Sequence, residues 1–210
     1  ELAVFRAEKH DAPWVKVASW DKEALSFGDG RVISIEGACL LPGDTAWELF
    51  VSTETTVPYP EGLAAYQKPG TGVWSIDVFR GAGPESLDTA TLAPALPPAP
   101  EPAHLHVKDP KAYREDDGGT TLLFCSHPFT WASSNTGLAV RAPGSGRFAV
   151  RSYELVARGP AWDVAGARVT ARLPVPSAGV LAPLPPAALY FYDGLECFRE
   201  LPQSNQGVQR

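Results

Sequence analysis

The chain has 210 residues, of which 44 % are hydrophobic, and a formal net charge of −6 at pH 7. This length is enough to bury one sizeable core, and the acidic balance argues against nucleic acid or an anionic membrane surface as partner. No segment approaches the roughly 18 apolar residues of a membrane span, and no signal peptide is visible. We expect a soluble protein, either cytoplasmic or secreted, because a removed signal leaves no trace.

The chain begins with half of a longer unit. Residues 1–30 contain two apolar runs separated by a polar turn, and residues 2–21 match the second half of the repeat that follows. Two whole copies of this repeat come next, at 31–90 and 103–174. Alternating apolar residues bounded by Gly, Pro and Asp clusters predict four short antiparallel strands in each copy.

The two whole copies share their landmarks in the same order. Glu36 and Asp109 open them, and a strand that ends in serine follows each acid. A Gly-Leu pair and then an aromatic-led run, at 74–79 and 148–153, predict the third and fourth strands. The Pro-rich segment 91–106 is predicted to be a stiff surface crossing between the copies.

The end of the chain resembles the first half of the repeat. This half unit covers 175–201, and a tail follows at 202–210. In the repeat, Asp193 takes the position of Ser126. A small or apolar residue near Ser177 takes the position that Glu36 and Asp109 hold in the whole copies.

A four-stranded sheet repeated along the chain predicts an all-β fold, a β-propeller of four-stranded blades. The copies amount to about three blades, whereas closed propellers usually have four to eight. Because open sheet edges invite pairing, we expect part of a five-bladed ring, completed by a longer chain or by a neighbouring chain. The start at Glu1 and the absence of Met favour an internal piece. A two-sheet sandwich is the alternative.

Glu36 and Asp109 are the candidate catalytic residues. First strands of propeller blades lie nearest the axis, so equivalent positions in different blades converge on one central pocket. Two carboxylates across a pocket suit glycoside hydrolysis, in which one acid protonates the leaving oxygen and the other activates water or attacks. Unequal burial separates their pKa values. The alternative role of each residue is to cap a turn.

Further polar and aromatic residues near the ends of the second strands are candidates to bind substrate. They are His127, Trp131, Tyr192, Asp193 and Lys108. Aromatic faces suit the apolar face of a sugar ring, and an imidazole can hydrogen-bond a hydroxyl. Packing between blades is the alternative role for Trp131 and for Phe129.

We expect no metal or other cofactor. Three cysteines, Cys39, Cys125 and Cys197, lack metal-ligand spacing and are expected to be free thiols. His104 and His106 would face one side of a strand near Asp109, but out of register with it, which makes a weak metal site. Motifs for a nucleophilic serine, a phosphate or a dinucleotide are absent.

These motifs resemble those of the five-bladed β-propeller glycosidases, a group that includes arabinanases, xylosidases, invertases, levansucrases and mannoside phosphorylases. Residues 107–126 are similar to their blade opening of an Asp-Pro pair, an acidic turn and a strand ending in Ser. Residues 35–52 are similar to the blade that carries their catalytic acid, a Glu followed by Gly. The resemblance implies a general acid at Glu36. It implies a base, a nucleophile or a pKa-tuning carboxylate at Asp109, with Asp193 as a looser candidate.

The order of the acids departs from those families, in which two aspartates usually precede the glutamate. The first hypothesis is a glycoside hydrolase-like protein that acts on a carbohydrate through Glu36 and Asp109. The alternative is a non-catalytic propeller that binds carbohydrate or protein on the same face. A third hypothesis is another enzyme on this scaffold, such as a lyase, that uses His127 or Tyr192.

Overall fold

The computed structural model describes residues 1–28, 30–176, 178–181, 187–196, 198–201 and 204–209. Within these ranges the fold is all-β, with 3₁₀ turns at Glu61–Tyr66, Pro102–His104 and Gly179–Leu181. The strands are β1 (Leu2–Arg6), β2 (Val15–Trp20), β3 (Val32–Leu41), β4 (Trp47–Thr55), β5 (Trp74–Gly81), β6 (Asp88–Leu96), β7 (His106–Arg114), β8 (Thr120–His127), β9 (Asn135–Arg141), β10 (Ala149–Val156), β11 (Gly166–Val175), β12 (Ala187–Leu195), β13 (Phe198–Leu201) and β14 (Ser204–Gln209). The predictions for Ser177 and Cys197 lie outside the described residues.

Two four-stranded antiparallel sheets form the centre of the molecule. Strands β3 to β6 make the first sheet and β7 to β10 make the second, each in simple chain order. Strands β1 and β2 pair with each other, as the sequence predicts for the start of the chain. Two-stranded sheets also form from β11 with β12 and from β13 with β14.

The sequence predicts that the Gly-Leu pair forms the third strand of each copy and that the aromatic-led run forms the fourth. For the first copy this prediction is wrong. The Gly-Leu pair of the first copy lies in the 3₁₀ turn Glu61–Tyr66, and the run from Trp74 forms the third strand. The fourth strand is β6, which includes residues 91–96 of the predicted Pro-rich crossing. Pro94 is tolerated there because β6 is an edge strand, where a missing N–H donor leaves no ladder bond unmade.

The boundary of the last unit is also earlier than predicted. Strand β11 begins at Gly166 and pairs with β12, so it belongs to the next sheet and not to the second copy. The sequence predicts this boundary at residue 175 because the segment that follows resembles the first half of the repeat. The predicted tail at 202–210 includes β14.

One hydrophobic core joins the two four-stranded sheets. It contains Leu41, Phe50, Ile76, Val78, Ala95 and Leu96 from the first sheet and Val107, Ala112, Leu122, Phe124 and Ala139 from the second. The backbone N–H of Ala112 also donates to Cys39 Sγ at 3.2 Å, which joins β7 to β3 directly. Cys39 and Cys125 are both free thiols, as predicted.

A buried glutamate joins the same two sheets at one end. Glu48 of β4 is 4 % exposed and accepts hydrogen bonds from Arg141 of β9 and Arg80 of β5, at 2.8 and 2.9 Å. Burial acts to raise the pKa of Glu48, but its hydrogen bonds and charge attraction with Arg141 and Arg80 together outweigh burial. The pKa therefore lies below its ordinary value.

The helical elements of the described chain are short 3₁₀ turns, and none has the length and apolar character needed to cross a membrane.

Gly137 tests the close packing within the second sheet. It pairs with Phe124 across β8 and β9, and a Cβ at this position would overlap the Phe124 ring. We expect Gly137→Ala to lower the free energy of unfolding by about 1–3 kcal/mol, because the buried ring must move. Urea denaturation measures the change. Gly146→Ala is the control, since its Cβ would meet no atom within 4 Å; equal stability of the two variants would contradict this packing.

Candidate functional site

A cavity of about 490 Å³ opens where the loops of the two four-stranded sheets meet. Five of its lining side chains are aromatic: Tyr59, Tyr66, Trp74, Phe129 and Trp131. Four are charged: Glu36, Glu54, Lys68 and Lys108. An apolar wall with a few polar groups and this volume is typical of a small-molecule site.

Neighbouring strands of the first sheet supply the two carboxylates. Glu54 of β4 pairs with Ser34 of β3, and Glu36 is two residues further along β3. Side chains two apart on a strand share a face, so the two glutamates are diagonal neighbours, roughly 7–8 Å apart by strand geometry. The antiparallel ladder therefore fixes two carboxylates on one wall of the cavity.

Lys108 contributes the central positive charge. It forms an ion pair with Glu36, and its Nζ lies 4.7 Å from the centre of the Trp74 ring. The Lys108 side chain is 11 % exposed, whereas the Glu36 side chain is 51 % exposed. The ammonium is therefore held between a carboxylate and an aromatic face, and Glu36 keeps an open side toward the cavity.

Glu54 has a perturbed acidity. Burial raises the pKa of Glu54, and the negative charge of Glu36 adds to this shift. The N–H of Gly72 donates to Glu54 Oε1 at 3.0 Å and opposes the shift in part. A carboxyl group with a raised pKa beside a second carboxylate is the arrangement that separates a proton donor from its partner.

A hydrogen-bond network orients the aromatic wall. The N–H of Trp74 donates to His106 Nδ1 at 3.3 Å, so the ring proton lies on Nε2, which donates to the Tyr59 hydroxyl at 2.9 Å. Trp131 Nε1 donates to the same hydroxyl at 3.3 Å. Burial, and then the charge of Lys108, lower the pKa of His106 to about 4, so the imidazole is neutral at pH 7.

Trp131 has an unusual backbone. Its φ is 59°, in the left-handed region that bulky residues rarely adopt. Its N–H donates to the Pro128 carbonyl at 2.9 Å, and its ring stacks on His106 with centroids 4.2 Å apart. A strained conformation held by such contacts marks a position where orientation of the side chain matters. Trp131 both packs between the sheets and lines the cavity.

The cavity brings together three of the predicted site residues, namely Glu36, Lys108 and Trp131. Asp109 is not among its lining residues, so this cavity does not place Glu36 and Asp109 opposite each other. Glu36 and Asp109 also do not occupy equivalent positions in the strand pairing of the two sheets. Glu36 pairs with Ser52, whereas Val107 pairs with Ser126.

Backbone bulges explain this difference in position. The register shifts beside Gly37 in β3 and beside Asp109 in β7, and both residues have positive φ, at 50° and 56°. Each bulge inserts residues between the acid and the serine that ends the next strand. Residues at similar sequence spacing in the two copies therefore do not lie at the same position in the two sheets. The Asp109 N–H donates to Ser52 Oγ at 2.8 Å.

The remaining predicted ligands lie elsewhere. His127 is 3 % exposed and its Nδ1 bonds to the Ser133 carbonyl at 3.0 Å. Tyr192 donates to Asp163 Oδ2 at 3.3 Å, and Asp193 is exposed on β12. None of the three lines the cavity.

The histidines at 104 and 106 do not share a strand face. His104 ends a 3₁₀ turn, bonds to Ser126 Oγ at 2.8 Å and stacks on Tyr153. His106 bonds to Tyr59 instead. The weak metal site considered around them is therefore not formed.

Sequence reasoning missed Glu54, Tyr59 and Trp74 as site residues. Period-two alternation could have indicated Glu54, because it lies two residues beyond Ser52 on the same strand. Tyr59 lies in a loop and reaches the site only through contacts with the second sheet.

No protein-family model matches the chain, and comparison with curated proteins gives no match. The functional conclusion therefore depends on the chemistry of the cavity.

Tyr59 tests the network. We expect Tyr59→Phe to lower the free energy of unfolding by about 1–3 kcal/mol, because the buried N–H of His106 loses its acceptor. Tyr66→Phe is the matched control, since Tyr66 is 62 % exposed. Chemical denaturation of both variants gives the comparison. Equal stability of Tyr59→Phe and wild type would show that the hydroxyl does not hold the aromatic wall.

Proposed function

We propose that the cavity binds a carbohydrate. The observation that carries this proposal is the combination of aromatic faces with carboxylate and ammonium groups in one cavity. The apolar C–H face of a sugar ring stacks on an indole such as Trp131, while Glu36 and Glu54 accept hydrogen bonds from hydroxyl groups. Two glutamates and two lysines give the cavity no large formal charge of either sign, so neutral sugars are the first class to test.

We further propose a scaffold of the β-propeller type, part of a five-bladed ring. Successive antiparallel sheets in chain order support it, as does the contact of β3 with β7 through Cys39 and Ala112. The next sheet follows in the same way, because the Val169 N–H of β11 donates to Thr136 Oγ1 of β9 at 2.9 Å. The resemblance of 107–126 to propeller glycosidases agrees with this arrangement.

Removal of one aromatic face tests carbohydrate binding. A panel of neutral arabino-, xylo-, manno- and fructo-oligosaccharides is screened by isothermal titration calorimetry. We expect at least one to bind, and Trp131→Ala to weaken its binding at least tenfold, through loss of the stacking surface. Trp14→Ala is the control, because Trp14 is 64 % exposed and lies outside the cavity. No binding across the panel, or equal losses in the two variants, would contradict the proposal.

Glycoside hydrolysis is the second candidate function, and the raised pKa of Glu54 beside Glu36 favours it. In this mechanism Glu54 donates its proton to the glycosidic oxygen as the bond to the anomeric carbon breaks. As this bond breaks, the carboxylate of Glu36 either takes a proton from the water that attacks the carbon or attacks the carbon itself. In the second case, water that gives its proton to the Glu54 carboxylate hydrolyses the glycosyl ester and releases Glu36. Lys108 holds Glu36 in position.

Substrates with different leaving groups separate the two roles. We expect Glu36→Gln to abolish turnover of all aryl glycosides. In Glu54→Gln, the turnover rate should fall about 10²–10⁴-fold for substrates with poor leaving groups. It should fall little for activated substrates, whose leaving groups need no proton donor. Wild-type activity should persist above the ordinary pH range of a glutamic acid, because the pKa of Glu54 is raised. Glu61→Gln, at an exposed position, is the control.

Two outcomes would exclude hydrolysis. One is the absence of turnover in the wild-type chain with every glycoside, and the other is unchanged turnover in Glu36→Gln. Neither outcome affects the proposal that the cavity binds sugar.

A further inference from the structure

We propose that Asp109, Cys125 and His127 form a binding site for a divalent transition metal ion, beside the carbohydrate cavity but outside its lining residues. A carboxylate oxygen, the Cys125 sulfur and an imidazole nitrogen all lie within 4.8 Å of one another. Asp109 lies on β7, and the other two residues lie two apart on the adjacent strand β8. Neither the sugar-binding nor the hydrolytic proposal uses these side chains.

His127 gives an independent indication of a ligand. The residue is 3 % exposed, yet its Nε2 has no hydrogen-bond partner within the part of the chain that the structure describes. Its Nδ1 donates to the Ser133 carbonyl at 3.0 Å, which fixes the tautomer and leaves a free lone pair on Nε2. A metal-binding histidine usually has such a carbonyl on its other nitrogen. A bound ion would satisfy the buried nitrogen.

Asp109 is held in place from two sides. Its N–H donates to Ser52 Oγ at 2.8 Å, and its backbone is left-handed, with a φ of 56°. Gly37 lies directly against it, since a Cβ there would come within 2.5 Å of Asp109 Oδ1. The glycine therefore makes room for the carboxylate beside Cys125.

The charges of the donors suit a divalent ion. Cys125 is buried beside the Asp109 carboxylate. A bound metal replaces the thiol proton, which leaves to solvent, so the carboxylate and thiolate together balance the double positive charge. Arg168 lies close enough to act on Cys125 and donates to Ser134 Oγ at 3.2 Å. Because Arg168 adds a positive charge nearby, a divalent cation needs the negative charges of both the carboxylate and the thiolate to bind there.

The mixed donor set selects the class of metal. Sulfur, nitrogen and oxygen donors in a tetrahedral arrangement favour Zn²⁺, and Co²⁺ is a spectroscopic substitute for it. Bond lengths near 2.0–2.3 Å place tetrahedral ligands roughly 3.3–3.8 Å apart, so donors at the 4.8 Å limit need to approach by about 1–1.5 Å. The proposal requires side-chain rotation of Asp109 and Cys125 to supply this movement. Three protein ligands leave a fourth position for water.

Cobalt titration of the metal-stripped full-length chain tests the site. We expect one Co²⁺ per chain, a thiolate-to-metal charge-transfer band, the strong visible bands of a tetrahedral complex, and release of the thiol proton. Cys125→Ser should remove the charge-transfer band and weaken binding at least tenfold. Cys39→Ser is the control and should leave the spectrum unchanged, because Cys39 lies on β3 outside the cluster.

A second variant keeps the test decisive if the serine variant does not fold. Asp109→Asn preserves side-chain size and should weaken Co²⁺ binding at least tenfold, while the melting temperature of the metal-free chain changes little. The proposal is overturned if the wild-type chain gives no charge-transfer band with Co²⁺. It is also overturned if Asp109→Asn binds as tightly as wild type.

Discussion

The packing of β7 against the first four-stranded sheet is the constraint on which the site depends. Phe50 of the first sheet and Phe124 of the second belong to the same hydrophobic core. This shared core fixes how closely β7 approaches β3. Only at that distance can Lys108 reach Glu36 and Trp131 reach the loop of the first sheet. The cavity is therefore a property of the interface between two sheets, and a loss of core packing would change its chemistry without touching a lining residue.

Strand β7, which contains a bulge, contributes residues both to the aromatic cavity and to the cluster with Cys125 and His127. Lys108 points to the aromatic cavity, and the next residue, Asp109, belongs to the buried cluster with Cys125 and His127. Successive side chains of a strand point to opposite faces, and Asp109 lies at a bulge with a left-handed backbone. The same backbone feature thus removes Asp109 from the predicted carboxylate pair and gives it a new set of neighbours.

Alternation of apolar residues was enough to predict the all-β class and most strands of the two central sheets, because strand burial follows a period of two. It failed at β6, where Pro94 resembles a linker residue, and at the bulges, where inserted residues changed the register. Part of the site has the same origin, because local sequence pattern indicated Glu36, Lys108 and Trp131. Tyr59 reaches the cavity only through tertiary contacts, which no local pattern encodes.

The central claim is that the cavity between the two sheets accepts a sugar ring. A crystal structure of the chain soaked with a neutral oligosaccharide tests it most directly. The account predicts a sugar ring stacked on the Trp131 indole, with a hydroxyl oxygen about 3 Å from a carboxylate oxygen of Glu36 or Glu54. A sugar bound only at another surface, with both carboxylates beyond hydrogen-bond distance, would contradict it.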